Sequence, residues 1–255
     1  GAQQPPPTSG MVLKKKAPVS SEILRVKLPR PQEATLSNGL QLMVLEDRSL
    51  PQISFQLIIP GAGGYFDPAD KVGLAQYTAA MMREGTKTRD TLQISRDLET
   101  MAASVSVGSG ISSQTATLSG GALTENFDKV FAIATDILMN PVFPADEWER
   151  ARTRARSGLM QQRTNPGFLA AEHYSRILYG DHPAGRVTTT AQALDAITRD
   201  AMVEWHQTRY VPDHALIAFA GDISLAEAQK KVEASLGAWK KAGVPKPEVQ
   251  APTSP

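Results

Sequence analysis

The chain has 255 residues, 27 basic against 26 acidic side chains, a net charge of +1, 41% hydrophobic residues and no cysteine. This balance, with no interleaving of aromatic and basic residues, argues against nucleic acid as a partner, and without cysteine neither a disulfide nor a thiolate metal site can form. No run approaches the ~18 apolar residues of a transmembrane segment, and the apolar fraction suffices for a buried core.

Residues 1–32 read as a tail. Gln3-Gln4-Pro5-Pro6-Pro7-Thr8-Ser9-Gly10 is polar and proline-rich, and Lys14-Lys15-Lys16 is a short, solvated basic run. Residue 1 is glycine rather than methionine, so the start reads as processed or engineered. Ala2-Gln3-Gln4 resembles the first residues left by cleavage of a secretory signal, so the expected location is exported and periplasmic, with cytoplasmic and organellar sites left open.

Residues 33–240 read as the folded domain. Residues 40–45 and 53–59 have strand character and are parted by the charged turn Glu46-Asp47-Arg48; the glycine cluster Gly61-Ala62-Gly63-Gly64 comes next. Helical spacing covers 71–84 and 91–101, and residues 104–107 with 114–118 form a hairpin pair. Residues 127–139 repeat apolar side chains at helical spacing, and Pro144 suits the first turn of a helix over 145–163. Helices at 166–178, 198–209 and 224–237 and a short buried strand at 216–220 complete the domain. Strands in pairs, rather than after each helix, predict an α+β fold: a mixed, mainly antiparallel sheet with helices packed on one face. Residues 241–255 read as a linker towards a second domain.

One helical stretch carries a degenerate motif. Gly73-Leu74-Ala75-Gln76-Tyr77-Thr78-Ala79-Ala80-Met81-Met82-Arg83-Glu84-Gly85-Thr86 resembles the G-L-A-H-x-x-E-H-M…G-T frame of the pitrilysin/insulinase-type (M16) metallopeptidases, which include the mitochondrial processing peptidase subunits. In that frame two imidazoles four residues apart grip Zn²⁺ from one helical face, and the glutamate takes a proton from the bound water. Here Gln76, Ala79 and Ala80 stand in those places, so neither imidazole nor the base is present. Leu36-Ser37-Asn38-Gly39-Leu40-Gln41-Leu42-Met43-Val44 resembles the family's L-x-N-G-L-x-V opening strand and Asn140-Pro141-Val142-Phe143-Pro144 its N-P-x-F turn. Leu178-Tyr179-Gly180-Asp181-His182-Pro183-Ala184-Gly185-Arg186 resembles its G-D-H-P loop, and Tyr210-Val211-Pro212-Asp213-His214-Ala215 the lead into its last strand.

The resemblance implies a third zinc ligand 76 or 77 residues past Ala80. That count falls on Arg156 or Ser157, neither of which is a carboxylate. It therefore implies an inactive member with no metal of its own and zinc only in a catalytic M16-type partner subunit, the two halves enclosing a peptide. It also implies that an extended peptide pairs with the edge strand at Ser106, Val107 and Gly108. Two other readings stay open: a hydrolase with an unrecognised site, and a stand-alone peptide-binding or assembly module. Arg150, Arg152, Arg154 and Arg156 alternate along one predicted helix. They read as a solvated surface or, for Arg154 and Arg156, as positive charge in the metal's place. The four histidines, His173, His182, His206 and His214, show no metal spacing, and His182 suits a turn role.

Overall fold

In β3 (Gln52–Pro60) the side chains of Ile53, Phe55, Leu57 and Ile59 are buried, while Gln52, Ser54 and Gln56 are exposed. This period of two marks a sheet covered on one side. The computed structural model describes residues 30–252; of the tail expected over residues 1–32, residues 1–29, with the proline-rich and basic runs, lie outside the described residues, and Gln32 already belongs to the first strand. Six strands, β1 (Gln32–Thr35), β2 (Gln41–Glu46), β3, β4 (Ser104–Ser109), β5 (Thr115–Leu123) and β6 (Leu216–Gly221), form one sheet in the order β1-β2-β6-β3-β5-β4. Only β2 and β6 pair in parallel, so the sheet is mixed and mainly antiparallel.

The helices are α1 (Leu74–Met81), α2 (Thr91–Thr100), α3 (Phe127–Met139), α4 (Ala145–Gln162), α5 (Pro166–Tyr179), α6 (Ala191–Ala196), α7 (Arg199–Arg209) and α8 (Leu225–Leu236). Local chemistry sets several of their starts. Asp90 with Gln93 and Ser224 with Glu227 form capping boxes on α2 and α8. Asn165 caps α5, with Pro166 in its first turn. Helices pack on the apolar face, where Phe55, Phe127, Phe131 and Phe219 meet with ring centroids 5.3 to 6.2 Å apart.

The opposite face of the sheet is open among the described residues. The register aligns Ser104, Gly121, Ser54, Ala220 and Leu45 in one row, and Ser106, Ser119, Gln56, Ala218, Met43 and Glu33 in the next. Gly108, Thr117, Ile58, Leu216, Gln41 and Thr35 form a third. Glu33 is the only charged side chain in the three rows.

Two turns place the helices that frame the motif. At the N-P-x-F turn Phe143 is buried with φ +49°, and Arg199 clamps it by donating Nε to the Phe143 carbonyl (2.8 Å) and Nη2 to the Val142 carbonyl (2.9 Å). The Gly-Thr turn is tied to α3 through Asp136, whose carboxylate accepts from Thr86 Oγ1 (2.6 Å), Thr88 Oγ1 (2.7 Å), Arg89 Nη1 (3.0 Å) and Asn140 Nδ2 (3.0 Å). Burial pushes this carboxyl up, but the donors outweigh it and hold it below the usual aspartate value. A depressed folded-state value means that Asp136 stabilises above the unfolded value of about 4 and loses that contribution as pH falls through the folded one. Asp136→Asn is expected to cost about 2–3 kcal/mol near neutrality and to weaken the acid dependence of stability. Urea melts at neutral and acid pH check this; an unchanged acid slope would count against it.

The sheet, its mixed pairing and the long helices match the sequence expectations. Two elements were missed, β1 and α6, of four and six residues. The expected helix over 71–84 is narrower, with short 3-10 turns at Ala69–Lys71 and Met82–Glu84 flanking α1. The segment expected to be a linker lies against the domain: the Asp213 carboxylate accepts from the Ala242 and Gly243 amides (2.8 and 2.7 Å). Further along, Tyr65 and His182 both contact the Gln250 backbone.

Candidate functional site

Helix α1 begins where only glycine is comfortable: Gly73 is its N-cap with φ +106°. The buried Asp67 carboxylate accepts from the Gly73 and Ala75 amides (2.7 and 2.9 Å), satisfying donors that the first turn leaves open. Burial pushes this carboxyl up to about 6, against the pull of those amides and the nearby Arg186 guanidinium. Tyr77 packs edge-on against Trp148 of α4, centroids 5.4 Å apart, which holds α1 beside α4.

On α1, Gln76 and Ala80 are exposed and Ala79 is fully buried. The two ligand positions thus share a face, as their spacing predicts. Gln76 opens into a cavity of about 580 Å³ that α4 bounds with Ala155, Gly158, Leu159 and Gln162. The β4–β5 turn adds Ile111 and Ser112, and the segment 186–189 completes the wall.

Neither Arg156 nor Ser157 lines this cavity, so the sequence count for a third ligand is corrected. Ser157 is exposed and its hydroxyl donates to the Thr153 carbonyl (3.3 Å) of its own helix; Arg156 is exposed and paired with Asp195. Arg154 is also exposed and outside the cavity. Their exposure agrees with the reading of these arginines as a solvated surface. Successive helical positions point about 100° apart, so a one-residue error in counting moves a side chain off the site. Gly158, the next residue, faces the cavity, and a Cβ there would meet nothing within 4 Å. The sequence reading also missed the cavity's one cation, Arg186, although it ends the G-D-H-P stretch.

A zinc ion does not fit these residues. The α1 positions offer one amide and two methyl groups, and α4 offers no carboxylate to the cavity. Among the described residues no group of three or more His, Cys, Asp and Glu side chains is placed to hold a metal. Two of the histidines meet backbone groups: His206 contacts the Leu138 carbonyl (2.7 Å), and His182 Nδ1 accepts from the Ala184 amide (3.2 Å) in the turn role expected of it.

The proposed peptide edge has mixed surroundings. β4 is the last strand of the sheet, and α1 lies against it. Ser106 and Gly108 are exposed on the open face, Ser106 Oγ lying 2.9 Å from Ser119 Oγ, whereas Val107 packs partly into the core.

Fold and site together define a metallopeptidase-type α+β domain whose metal helix lacks ligands. A model of the insulinase family (peptidase family M16) matches residues 42–192, and one of the peptidase M16 inactive domain matches 196–255. The chain belongs to the M16 peptidase family. It is 23% identical over 199 residues to an uncharacterized zinc protease of Rickettsia bellii, covering 78% of this chain and 48% of that protein. It is 25% identical over 215 residues to a probable mitochondrial-processing peptidase subunit beta of Schizosaccharomyces pombe, covering 82% and 46%. The crystal structure of a peptidase M16 inactive domain from Pseudomonas fluorescens superposes with a TM-score of 0.81 at 26% identity, covering 88% of this chain and 54% of that one. The chain thus spans about half the length of the relatives it matches.

Proposed function

We propose that this chain is the non-catalytic half of an M16-type zinc peptidase, helping to enclose a peptide that a partner subunit with an intact H-x-x-E-H helix cleaves. The observation that carries this reading is the α1 helix: its frame, cap and packing against α4 are kept, while Gln76, Ala79 and Ala80 leave nothing to bind zinc or move a proton. In this reading zinc belongs to the partner alone. Co-purification of such a subunit from the native source, and its cleavage rate with and without this protein, test the pairing.

The same proposal assigns peptide contact to the β4 edge at Ser106, Val107 and Gly108. Strand addition uses backbone groups, so it survives loss of the metal. A peptide carrying N-methyl groups on alternate amides is expected to bind about tenfold more weakly than its unmethylated parent, because each methyl removes a ladder donor. Fluorescence anisotropy with both peptides checks this, and equal affinities would remove β4 from the account. An exported, periplasmic setting completes the proposal; the absence of cysteine is compatible with it, and fractionation of the source cell decides it.

A further inference from the structure

The cavity beside α1 presents hydrogen-bond donors and one cation but no carboxylate. Arg186 commits Nη1 to the carbonyls of Gly64 (3.2 Å) and Asp67 (3.0 Å), and its other nitrogens have no protein acceptor among the described residues. Gln162 accepts at Oε1 from Thr188 Oγ1 (3.1 Å), which leaves its NH₂ group. The Gln76 amide and the Ser112 hydroxyl also line the cavity, and neither has a hydrogen-bond partner among the described residues. Of the acidic side chains of adjoining elements, Asp67 lies near Arg186 but its oxygens accept the α1 amides outside the cavity lining, and Asp195 pairs with Arg156.

A guanidinium whose nearby anion, Asp67, is already bound by the α1 amides, and which is backed by neutral donors on the cavity side, is matched by a carboxylate. The position of the cavity says how one would arrive. The turn that supplies Ile111 and Ser112 comes directly after β4, so an extended peptide along that edge leads to the cavity.

We infer that this cavity binds a carboxylate of the peptide held on β4, either the terminal carboxylate or an aspartate or glutamate side chain. The loss of the zinc ligands thereby replaces a reaction centre with a recognition pocket for negative charge. This inference rests on strand pairing at β4 and adds what that surface selects.

The test uses the whole chain and four probes: an extended neutral peptide with a free C-terminal carboxylate, its C-terminal amide, the amide with one internal glutamate, and acetylglycine as a carboxylate too short to pair. Binding of the peptides is measured by calorimetry, and the side-chain amide resonances of Gln76 and Gln162 are monitored by NMR. At least one carboxylate peptide is expected to bind about tenfold tighter than the neutral amide, and the tighter of the two identifies the source. Gln76→Glu, at an exposed position, places a fixed anion in the cavity and is expected to abolish this preference. Arg186→Gln should act in the same direction, and if it fails to fold, Gln76→Glu still carries the test. Equal affinities for the three peptides would overturn the carboxylate site while leaving strand pairing in place. Perturbation of both amides by acetylglycine, with no gain from longer peptides, would uphold the carboxylate site and remove strand pairing. Silence of both amides towards every probe would overturn the inference.

Discussion

Zinc affinity is expected to remain weak in the triple variant Gln76→His, Ala79→Glu, Ala80→His, and to rise roughly a hundredfold when Gly158→Glu is added. Two imidazoles on the exposed face of α1 make an incomplete set, because a stable site needs a third protein ligand. Gly158 can supply it: the residue lines the same cavity as Gln76, and its missing side chain leaves open space. Replacing a glycine inside a helix also favours the helix by up to about 1 kcal/mol. Ser157→Glu is expected to change little, since position 157 lies outside the cavity. Ala79→Glu carries its own cost, because that position is fully buried; a carboxyl there lowers stability by about 2–4 kcal/mol or is held neutral. Titration against a competing chelator, together with thermal melts, checks both parts. A triple variant that already bound like an active relative, or a larger gain from Ser157→Glu, would refute this geometry.

Cleavage of an extended peptide by the cognate H-x-x-E-H subunit is expected to rise on the order of a hundredfold when this protein is present, whereas this protein alone cleaves nothing. The reason is geometric. A subunit that supplies the metal still has to hold a flexible peptide in register, and a second half that encloses and pairs with it removes that freedom before reaction. Rates with each subunit alone and with both together decide the matter. Equal rates without this protein, combined with peptide affinity of its own, would favour the stand-alone module; cleavage by the metal-free chain would favour a hydrolase with another site.

Much of the fold was legible because it is written in periodicity. The alternation through residues 53–59 and the helical repeat of 127–139 give β3 and α3 almost to their ends. What escaped was short or non-local. β1 is mostly exposed along its four residues, and its pairing with β2 supplies an order that its side chains do not encode. The defect in the site was equally legible, since spacing on one helix is a local property. Its wall was not. Whether position 157 or 158 faces α1 depends on how two helices are rotated about their axes, and the contact of Tyr77 with Trp148 that helps set this joins residues far apart in the chain. Arg186 belongs to a recognisable motif, yet its place beside Gln76 comes from a loop folded back across the domain.

The open side of the sheet bears on how the chain behaves in concentrated solution. Three aligned rows across its strands hold Glu33 as their sole charge, and the whole chain carries only +1. Neither the patch nor the net charge supplies the mutual repulsion that keeps protein molecules dispersed. Colloidal stability of the isolated domain is therefore governed by what covers this face, and a solubilising change belongs there, with Gln56 and Ala218 at its centre, rather than on the already charged surface of α4.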